Sequence, residues 1–381
     1  MIYLDNAATS FPKPESVYQT LDSFARNSLA NPGRAGHKMA LAAERMLDDT
    51  RHLLNQFFHG EGPERFIFTL NCSDGLNMAI KGTLNPGDHV ITTDLEHNSI
   101  SRPLVAMAKA EVITLTRVPS DSGGTINPDD IRQAITPKTR LIAMTHASNV
   151  LGTVQPIEAI AKIARSHDLL ILVDAAQSAG VIPIDLRAWP IDMLAFPGHK
   201  GLFGPTGTGV LYVGPRTQLR AWREGGTGGD SSSPTQPTDL PYFLEGGTPN
   251  VLGVAGLNAG IRYVQKEGLG RIHDHEMSLI EHFWQRIDAL KGFRLLGHRD
   301  TKRKVAAQSF VHDSIAASEL GAILDQSFDI AIRPGQHCAP YIHKAQKTFP
   351  DGAARVSPGP FNTLAEIDQL VDALKEITND L

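Results

Sequence analysis

Between residues 66 and 213, short apolar runs alternate with helical patterns, and this alternation constrains the fold more than any other feature of the sequence. The clearest run is Leu169–Val173, which ends in Asp174. An unbroken apolar run of this length is typical of a strand that is buried on both faces of a parallel sheet. Strands that alternate with helices predict an α/β protein in which helices flank a mostly parallel central sheet. The other predicted strands of this sheet span residues 66–69, 89–93, 111–118, 141–146, 193–196 and 210–213.

The chain after residue 250 follows a different pattern, in which two helical stretches are followed by short strand-like runs and short helices. Such a mixture indicates a compact α+β unit. We therefore predict a large domain over residues 15–250. Residues 1–14 and 251–381 would form a smaller α+β C-terminal domain with Cys338 in one of its loops. Residues 224–249 are rich in Gly, Ser, Thr and Pro, which predicts a long loop.

Composition excludes several classes of function. The chain has 381 residues, of which 41% are hydrophobic and 20% charged, as is typical of a globular protein. The formal charge is only -5 and no basic block is present, so neither nucleic acid nor a membrane surface is expected as a partner. The sequence starts without a signal-peptide pattern and lacks long apolar stretches, so we expect a cytoplasmic protein. Two cysteines, Cys72 and Cys338, are too few for a disulfide framework or a four-cysteine zinc site, and no metal site is predicted.

Polar side chains follow four of the predicted strands, at the point where each strand ends. These side chains are His97, Asn149, Asp174 and Lys200. In open α/β sheets, the ligand crevice lies outside the carboxyl ends of the parallel strands. We therefore expect the four side chains to converge on one site.

Lys200 follows Pro197-Gly198 on a turn between two apolar strands. Most lysines are solvated surface charges, and that interpretation would be preferred for Lys200 alone. A partly desolvated amine on such a turn would have a lowered pKa, which suits Schiff-base chemistry with an electron-sink cofactor.

The strand at residues 66–69 leads through Asn71-Cys72-Ser73-Asp74-Gly75 directly into a helix. A helix N-terminus after a strand is a potential anion site, because free backbone N–H groups and the helix dipole meet there. Simpler interpretations are that Ser73 caps the helix and that Cys72 is a small buried side chain. His37, on an earlier loop, could serve the site or simply be solvated.

Taken together, the ordered motifs of the chain resemble those of the pyridoxal-phosphate (PLP) enzymes of the class V aminotransferase family, in particular the cysteine desulfurase and selenocysteine lyase group. The resemblance covers nearly the whole length and implies the type I fold of PLP-dependent transferases, with pyridoxal 5'-phosphate as the cofactor. It rests on the motifs at residues 3–9, 96–99, 148–153, 173–177, 198–200, 245–250, 333–339 and 355–357.

The resemblance implies a role for each residue around the cofactor ring. Lys200 would form a Schiff base with the cofactor and move the substrate Cα proton. Asp174 would pair with the pyridine nitrogen and keep it protonated, so that the ring withdraws electrons. Gln177 would bond to the phenolate oxygen and His97 would lie over the ring and transfer protons. Asn149 would contact the ring or the substrate.

For the cofactor phosphate, the resemblance implies contacts from Cys72, Ser73 and His199, joined by Thr248 from the partner subunit of a homodimer. These enzymes often carry Ser or Thr immediately before Gly-His-Lys, whereas this chain carries Pro197. Proline offers neither a hydroxyl nor an N–H group. One phosphate contact is therefore expected to be missing or to come from another group.

On the substrate side, Arg355 would bind the substrate carboxylate as a bidentate fork, with Arg333 and His37 near the same pocket. An isolated Cys338 would be interpreted as an inert loop residue. Within Arg-x-Gly-x-His-Cys-Ala, however, it matches the short-loop desulfurase type. There His337 and Arg333 would favour the thiolate, which would accept sulfur from cysteine as a persulfide.

The reaction implied is the conversion of L-cysteine to L-alanine, with a sulfur-acceptor protein as a possible further partner. Three alternatives remain open from the sequence. They are a selenocysteine lyase, another class V aminotransferase or β-lyase, and a sulfur-carrier or interaction protein that binds no PLP.

Overall fold

The computed structural model describes residues 1–33, 36–227 and 232–379. The strands are β1 (Ile2–Tyr3), β2 (Phe66–Thr69), β3 (His89–Thr93), β4 (Thr114–Val118), β5 (Thr139–Thr145), β6 (Leu170–Asp174), β7 (Met193–Pro197), β8 (Gly209–Val213), β9 (Phe293–Leu295), β10 (Gln308–His312), β11 (Ile330–Ala331), β12 (Arg333–Gly335) and β13 (Ala353–Val356). The helices are α1 (Glu15–Asn27), α2 (Lys38–Phe58), α3 (Cys72–Thr83), α4 (Asn98–Lys109), α5 (Pro128–Gln133), α6 (Ile157–Ser166), α7 (Val251–Glu267), α8 (Leu269–Ile287), α9 (Ala317–Phe328), α10 (Pro340–Ala345) and α11 (Leu364–Asn379).

Seven strands form the central sheet in the order β2-β8-β7-β6-β5-β3-β4. Strands β7, β6, β5, β3 and β4 are parallel to one another, and β8 is antiparallel to both of its neighbours. The prediction of a mostly parallel central sheet is therefore confirmed. Because the parallel strands share one direction, the residues that follow their carboxyl ends meet at one edge of the sheet.

Helix α6 illustrates how the sequence covers this sheet. Its apolar residues recur every three or four positions, so one face of the helix is buried against the core that also contains Ile171 and Val173 of β6. The opposite face carries Glu158 and Lys162, an exposed ion pair with an N–O distance of 2.6 Å. The buried residues of α6 are Ile157, Ile160, Ala161, Ile163 and Ala164.

A second core surrounds a four-stranded antiparallel sheet of order β12-β13-β10-β9 and a parallel pair, β1 with β11. Leu4 near the N-terminus and residues of α8, α9 and α11 are buried in this core. The domain boundary at residue 250 stays a prediction. Most of the buried apolar residues of α7 belong to the core around the central sheet, and most of those of α8 belong to the second core, which favours a boundary near Gly268.

Three short strands were not predicted, whereas the equally short β9 and β11 were expected as strand-like runs. Strands β1, β12 and β13 span two to four residues, too few for a hydrophobic period, and they exist because partner strands pair with them. Most of the predicted loop at 224–249 contains no helix or strand among the described residues, and residues 228–231 lie outside them. No helix within the described ranges is long and apolar enough to cross a membrane.

Glu276 of α8 gives the first testable prediction. The side chain is buried, and burial raises its pKa from 4.5 to about 8. The folded protein therefore keeps a proton that the unfolded chain releases above its lower pKa, so this group lowers stability increasingly as the pH rises from 4.5 to 8. We expect Glu276→Gln to raise the free energy of unfolding by about 2–4 kcal/mol at pH 8 and to change it little at pH 4.

Urea denaturation of the apoprotein at the two pH values measures this effect. Glu281→Gln is the matched control, because Glu281 lies on the same helix and is exposed. A gain of equal size at both pH values would contradict the prediction.

Candidate active site

A cavity of about 210 Å³ lies at the carboxyl edge of the central sheet. The four side chains that were expected to converge all line it, as do four others that were assigned to a cofactor. These eight residues are His97, Asn149, Asp174, Lys200, Cys72, Ser73, Gln177 and His199.

Lys200 lies on the turn that follows β7. Gly198 N–H donates to the Thr208 carbonyl (2.9 Å), and Phe203 N–H donates to the Lys200 carbonyl (2.9 Å). A Cβ atom at Gly198 would lie 2.2 Å from Thr208 Oγ1, so the close return of the chain requires glycine. Burial lowers the pKa of Lys200, although the charge of Asp174 opposes this effect. The turn therefore holds an amine that is easier to deprotonate than a surface lysine.

Asp174 ends β6 and is 3% exposed. Its Oδ1 accepts hydrogen bonds from Ala176 N–H (2.9 Å) and from Cys72 Sγ (3.5 Å). Burial, followed by the charge of Asp174, raises the pKa of Cys72. Cys72 is therefore a neutral thiol that orients the carboxylate, rather than a nucleophile.

The N-terminus of α3 faces the same cavity. Asn71 caps the helix by accepting a hydrogen bond from Asp74 N–H (2.9 Å), so the prediction that Ser73 is the cap is wrong. The N–H groups of Cys72 and Ser73 belong to the first turn, where no preceding helical carbonyl is available. A Cβ atom at Gly209 would lie 2.4 Å from the Asn71 carbonyl carbon, so this glycine lets β8 approach the helix start.

His199 also lines the cavity, on the turn that carries Lys200. Its Nδ1 is buried and has no hydrogen-bond partner among the residues that the structure describes. Burial, followed by the charges of Lys200 and Lys13, lowers the pKa of His199 to about 4, so the ring is neutral at pH 7. An orphaned ring nitrogen beside free helix N–H groups is a suitable arrangement for binding an anion.

His97 is linked to this anion site through Ser99, whose role the sequence did not reveal. His97 Nδ1 accepts hydrogen bonds from Ser99 N–H (3.1 Å) and from Ser99 Oγ (2.9 Å), and Ser99 Oγ accepts one from Ser73 Oγ. Because Nδ1 accepts, the proton of the neutral imidazole lies on Nε2. Burial lowers the pKa of His97, which favours this neutral form.

The N-terminal segment orients the side-chain amide of Gln177. Its Nε2 donates to the Ala7 carbonyl (3.0 Å), and the residue is buried. One of the two amide protons is therefore used, while the other proton and the carbonyl oxygen stay available to a ligand.

Arg355 of β13 connects the second core to the cavity. Its guanidinium donates to Asp5 Oδ1 (2.7 Å) and to the Asn149 carbonyl (2.8 Å), whereas its Nε is buried and has no partner in the described part of the chain. The Asn149 side chain in turn donates to the His337 carbonyl (2.7 Å). Asn149 therefore joins the arginine to the loop that carries Cys338.

The loop at His337-Cys338 has an unusual backbone. Both residues have left-handed conformations, with φ of 48° and 56°, which non-glycine residues rarely adopt. Two hydrogen bonds hold this conformation, from Asn149 Nδ2 to the His337 carbonyl and from Asn98 N–H to the Cys338 carbonyl, each 2.7 Å long. Cys338 is exposed. The loop thus presents a thiol at a fixed position beside elements that line the cavity.

The expectation that His337 favours a thiolate at Cys338 is wrong. His337 is buried, and burial lowers its pKa to about 3, so the ring carries no positive charge at neutral pH. Its Nε2 donates to the Arg333 carbonyl (3.0 Å), so the imidazole supports the loop structurally.

Five predicted site residues do not line the cavity in the part of the chain that the structure describes, namely Arg355 and Cys338 and the three that follow. His37 is exposed and caps α2 by accepting from Ala40 N–H (3.2 Å). Thr248 is exposed beside Gly247. Arg333 is exposed on β12.

Comparison with known proteins decides the family. The profile of the family described as Aminotransferase class-V matches residues 2–370. The chain belongs to this family. A probable cysteine desulfurase from Halalkalibacterium halodurans is 34% identical to this class V protein over 385 residues, which cover 99% of the chain and 93% of the relative. A probable cysteine desulfurase from Methanothermobacter thermautotrophicus is 35% identical over 384 residues, with 99% and 94% covered.

Solved structures agree with this family assignment. The apo structure of a cysteine desulfurase from Thermococcus onnurineus NA1 matches with a TM-score of 0.93 at 32% identity, covering 100% of this chain and 95% of that one. A cysteine desulfurase from Escherichia coli matches with a TM-score of 0.88 at 28% identity, again covering 100% and 95%. The predicted family and the type I fold of PLP-dependent transferases are confirmed.

Proposed function

We propose that this class V protein is a cysteine desulfurase, which converts L-cysteine to L-alanine and takes the sulfur onto Cys338 as a persulfide. The observation that carries the proposal is the exposed Cys338 thiol, on a loop fixed by Asn149 and Asn98 beside the cavity that contains Lys200. The names of its relatives point to the same activity. An aminotransferase would not need a thiol in this position.

The cavity fits pyridoxal 5'-phosphate. The orphaned His199 Nδ1 and the N–H groups of Cys72 and Ser73 would hold the phosphate, and the buried Asp174 would hold the pyridine nitrogen. Pro197 lines the cavity without a donor, and Ser99, linked to Ser73, is the group that could replace the missing contact. When bound, the cofactor would withdraw electrons from the substrate Cα through its protonated ring.

Lys200 would bind the cofactor covalently and carry the Cα proton. Its lowered pKa favours the neutral amine, which is the form that acts as a nucleophile and accepts a proton. The Nε2 proton of His97 faces no partner among the described residues and would be the donor on this side of the site.

Sulfur transfer to Cys338 balances without an external oxidant. The thiolate of Cys338 would attack the substrate sulfur, so that an S–S bond forms while the substrate Cβ–S bond breaks. The electron pair of the broken bond stays with the substrate carbon, which takes up a proton at Cβ. Alanine and a Cys338 persulfide result, and the proton lost by the thiol matches the one gained by carbon.

Arg355 would bind the substrate carboxylate. Its Nε is buried and unpaired within the described ranges, so a carboxylate would satisfy a donor that these residues leave free. The ion pair with Asp5 (2.7 Å) holds the planar guanidinium group in position before the substrate binds. Arg333 and His37 stay predictions as secondary contacts.

The deciding experiment uses purified protein loaded with pyridoxal 5'-phosphate. It is incubated with L-cysteine and a reductant, and alanine, pyruvate and sulfide are quantified while mass spectrometry tests the Cys338 peptide for one added sulfur atom. Alanine with a labelled Cys338 supports the proposal. Pyruvate would instead indicate a β-lyase, and a much higher rate on selenocysteine than on cysteine would indicate a selenocysteine lyase.

We also propose that the protein acts as a homodimer in which Thr248 reaches the phosphate site of the other subunit. Support comes from the exposure of Thr248 and from its absence from the cavity of its own chain. Sedimentation of the holoenzyme tests the oligomeric state. A sulfur-acceptor protein and a cytoplasmic location stay predictions.

Asn149 provides a further test of the loop's role. We expect Asn149→Ala to slow persulfide formation on Cys338 in a single turnover by about 10–100-fold, because a misplaced reacting group of this kind loses rate on that scale. The physical reason is the loss of the 2.7 Å hydrogen bond that holds the His337 carbonyl. Asn27→Ala is the control, since Asn27 is exposed at the end of α1. Persulfide formation at the wild-type rate would argue against a role of this bond.

A further inference from the structure

The carbonyl oxygen of His199 accepts hydrogen bonds from three residues of the N-terminal segment, which we call the N-terminal clamp (Thr9, Ser10 and Lys13). The donors are Thr9 Oγ1 (3.1 Å), Ser10 N–H (3.1 Å), Ser10 Oγ (3.2 Å) and Lys13 Nζ (3.0 Å). Ser10 Oγ also lies 3.0 Å from the Lys200 carbonyl oxygen. The clamp therefore engages both carbonyls of the His199-Lys200 turn.

Lys13 is the charged member of the clamp. Among the described residues, its ammonium group donates to Ser10 Oγ (2.7 Å) and to the His199 carbonyl. The side chain is half-buried, and burial lowers its pKa to about 8. A hydrogen bond from an ammonium group is stronger than a neutral one, so Lys13 contributes most to holding this oxygen.

The carbonyl in question belongs to the peptide bond between His199 and Lys200. A peptide unit is planar and contains the Cα atoms of both residues, so holding its oxygen restrains the positions of both Cα atoms. Both side chains line the same cavity. One clamped oxygen therefore restrains the backbone that carries the imidazole on the phosphate side and the amine on the reacting side.

We propose that Lys13 is a positioning residue. It holds the His199-Lys200 peptide so that the His199 ring and the Lys200 amine can contact the cofactor at the same time. The consequence for catalysis rests on the proposed function, whereas the clamp itself does not. Lys13 lies outside the motifs that define the active site. It contacts His199, which is 186 residues further along the sequence.

Lys13→Met tests this role, with Lys13→Arg as the conservative variant and Lys375→Met as the matched control. Lys375 is an exposed lysine on α11. The first readout is amide hydrogen exchange of residues 198–202 in the apoprotein. We expect exchange there to accelerate about 10-fold in Lys13→Met, because a local opening becomes easier, and to stay near wild type in Lys13→Arg and in the control.

The second readout is turnover of the holoenzyme with cysteine. We expect kcat to fall roughly 10-fold in Lys13→Met with little change in KM, because the amine is misplaced while the carboxylate site is intact. Lys13→Arg should restore most of kcat. If Lys13→Met does not fold, Lys13→Gln keeps a neutral donor and should give an intermediate effect on both readouts.

Two results would overturn the proposal. One is wild-type exchange and kcat in Lys13→Met. The other is faster exchange throughout the chain, including β6, without rescue by arginine, since that would indicate general destabilisation. If the wild-type holoenzyme forms no alanine from cysteine, the proposed function fails, but the exchange comparison still decides whether the clamp exists.

Discussion

Cys338→Ala is expected to reduce alanine release from cysteine by more than about 100-fold, a modest figure against the losses seen when an enzyme loses its nucleophile. The reason is that no other thiol can take the sulfur, because Cys72 is buried, bonded to Asp174 and has a raised pKa. Alanine has a Cβ atom as cysteine does, so the left-handed backbone at φ 56° is no harder to adopt. The variant therefore removes the sulfur atom while keeping the loop.

Alanine formation and the mass of the loop peptide are measured together. Ser314→Ala is the control, since it removes one polar atom from an exposed loop near the second core. Activity of Cys338→Ala on selenocysteine is expected to persist, because selenium leaves carbon more readily than sulfur does. Alanine release from cysteine at the wild-type rate would refute the role of Cys338.

Lys200→Met should have the largest effect on the reaction. Loss of a general base alone costs about 10²–10⁴-fold in rate, and loss of the covalent bond to the cofactor adds to this. The visible absorbance band of the holoenzyme should disappear from the protein after dialysis. Lys200→Arg keeps the positive charge but provides no comparable nucleophilic amine, and it should be inactive as well.

The same substitution should stabilise the apoprotein. Burial lowers the folded-state pKa of Lys200 below its unfolded value, so the folded protein pays for desolvation of the amine at every pH below about 10.5. We expect Lys200→Met to raise the midpoint of thermal unfolding at pH 7, with the gain disappearing as the pH approaches 10.5. Lys375→Met, at an exposed site, should change neither activity nor stability. Unchanged turnover in Lys200→Met would refute the assignment of the cofactor site.

Much of the central sheet was predictable from the sequence. Strands β5 to β8 consist mostly of short apolar runs, which is the pattern expected of strands that are buried on both faces of a sheet. Strand β13, in contrast, is four residues long and owes its place to the pairing of Arg355 with Ser309 and Arg333 on neighbouring strands. Its existence is a property of tertiary structure, and local sequence carries little of it.

The candidate site divides in the same way. Asp174 and Lys200 follow strand ends, so their convergence could be predicted from topology alone. The roles of Ser99 and Asp5 could not, because each depends on a contact outside its own motif, to Ser73 and to Arg355. The neutral state of His337 was also inaccessible from the sequence, since its burial arises from tertiary packing, which includes the His343 ring at 5.4 Å.

Residues 5–13 connect the proposed site for the substrate carboxylate with the proposed site for the cofactor. Asp5 pairs with Arg355, and four to eight residues later Thr9 and Lys13 bond to the peptide that precedes Lys200. If a carboxylate that binds Arg355 at its free Nε also shifts Asp5, the shift passes along this short segment to the clamped peptide, and cofactor affinity changes with it. By thermodynamic linkage, the cofactor must then alter the affinity for substrate carboxylates by the same factor, even for analogues that carry no sulfur.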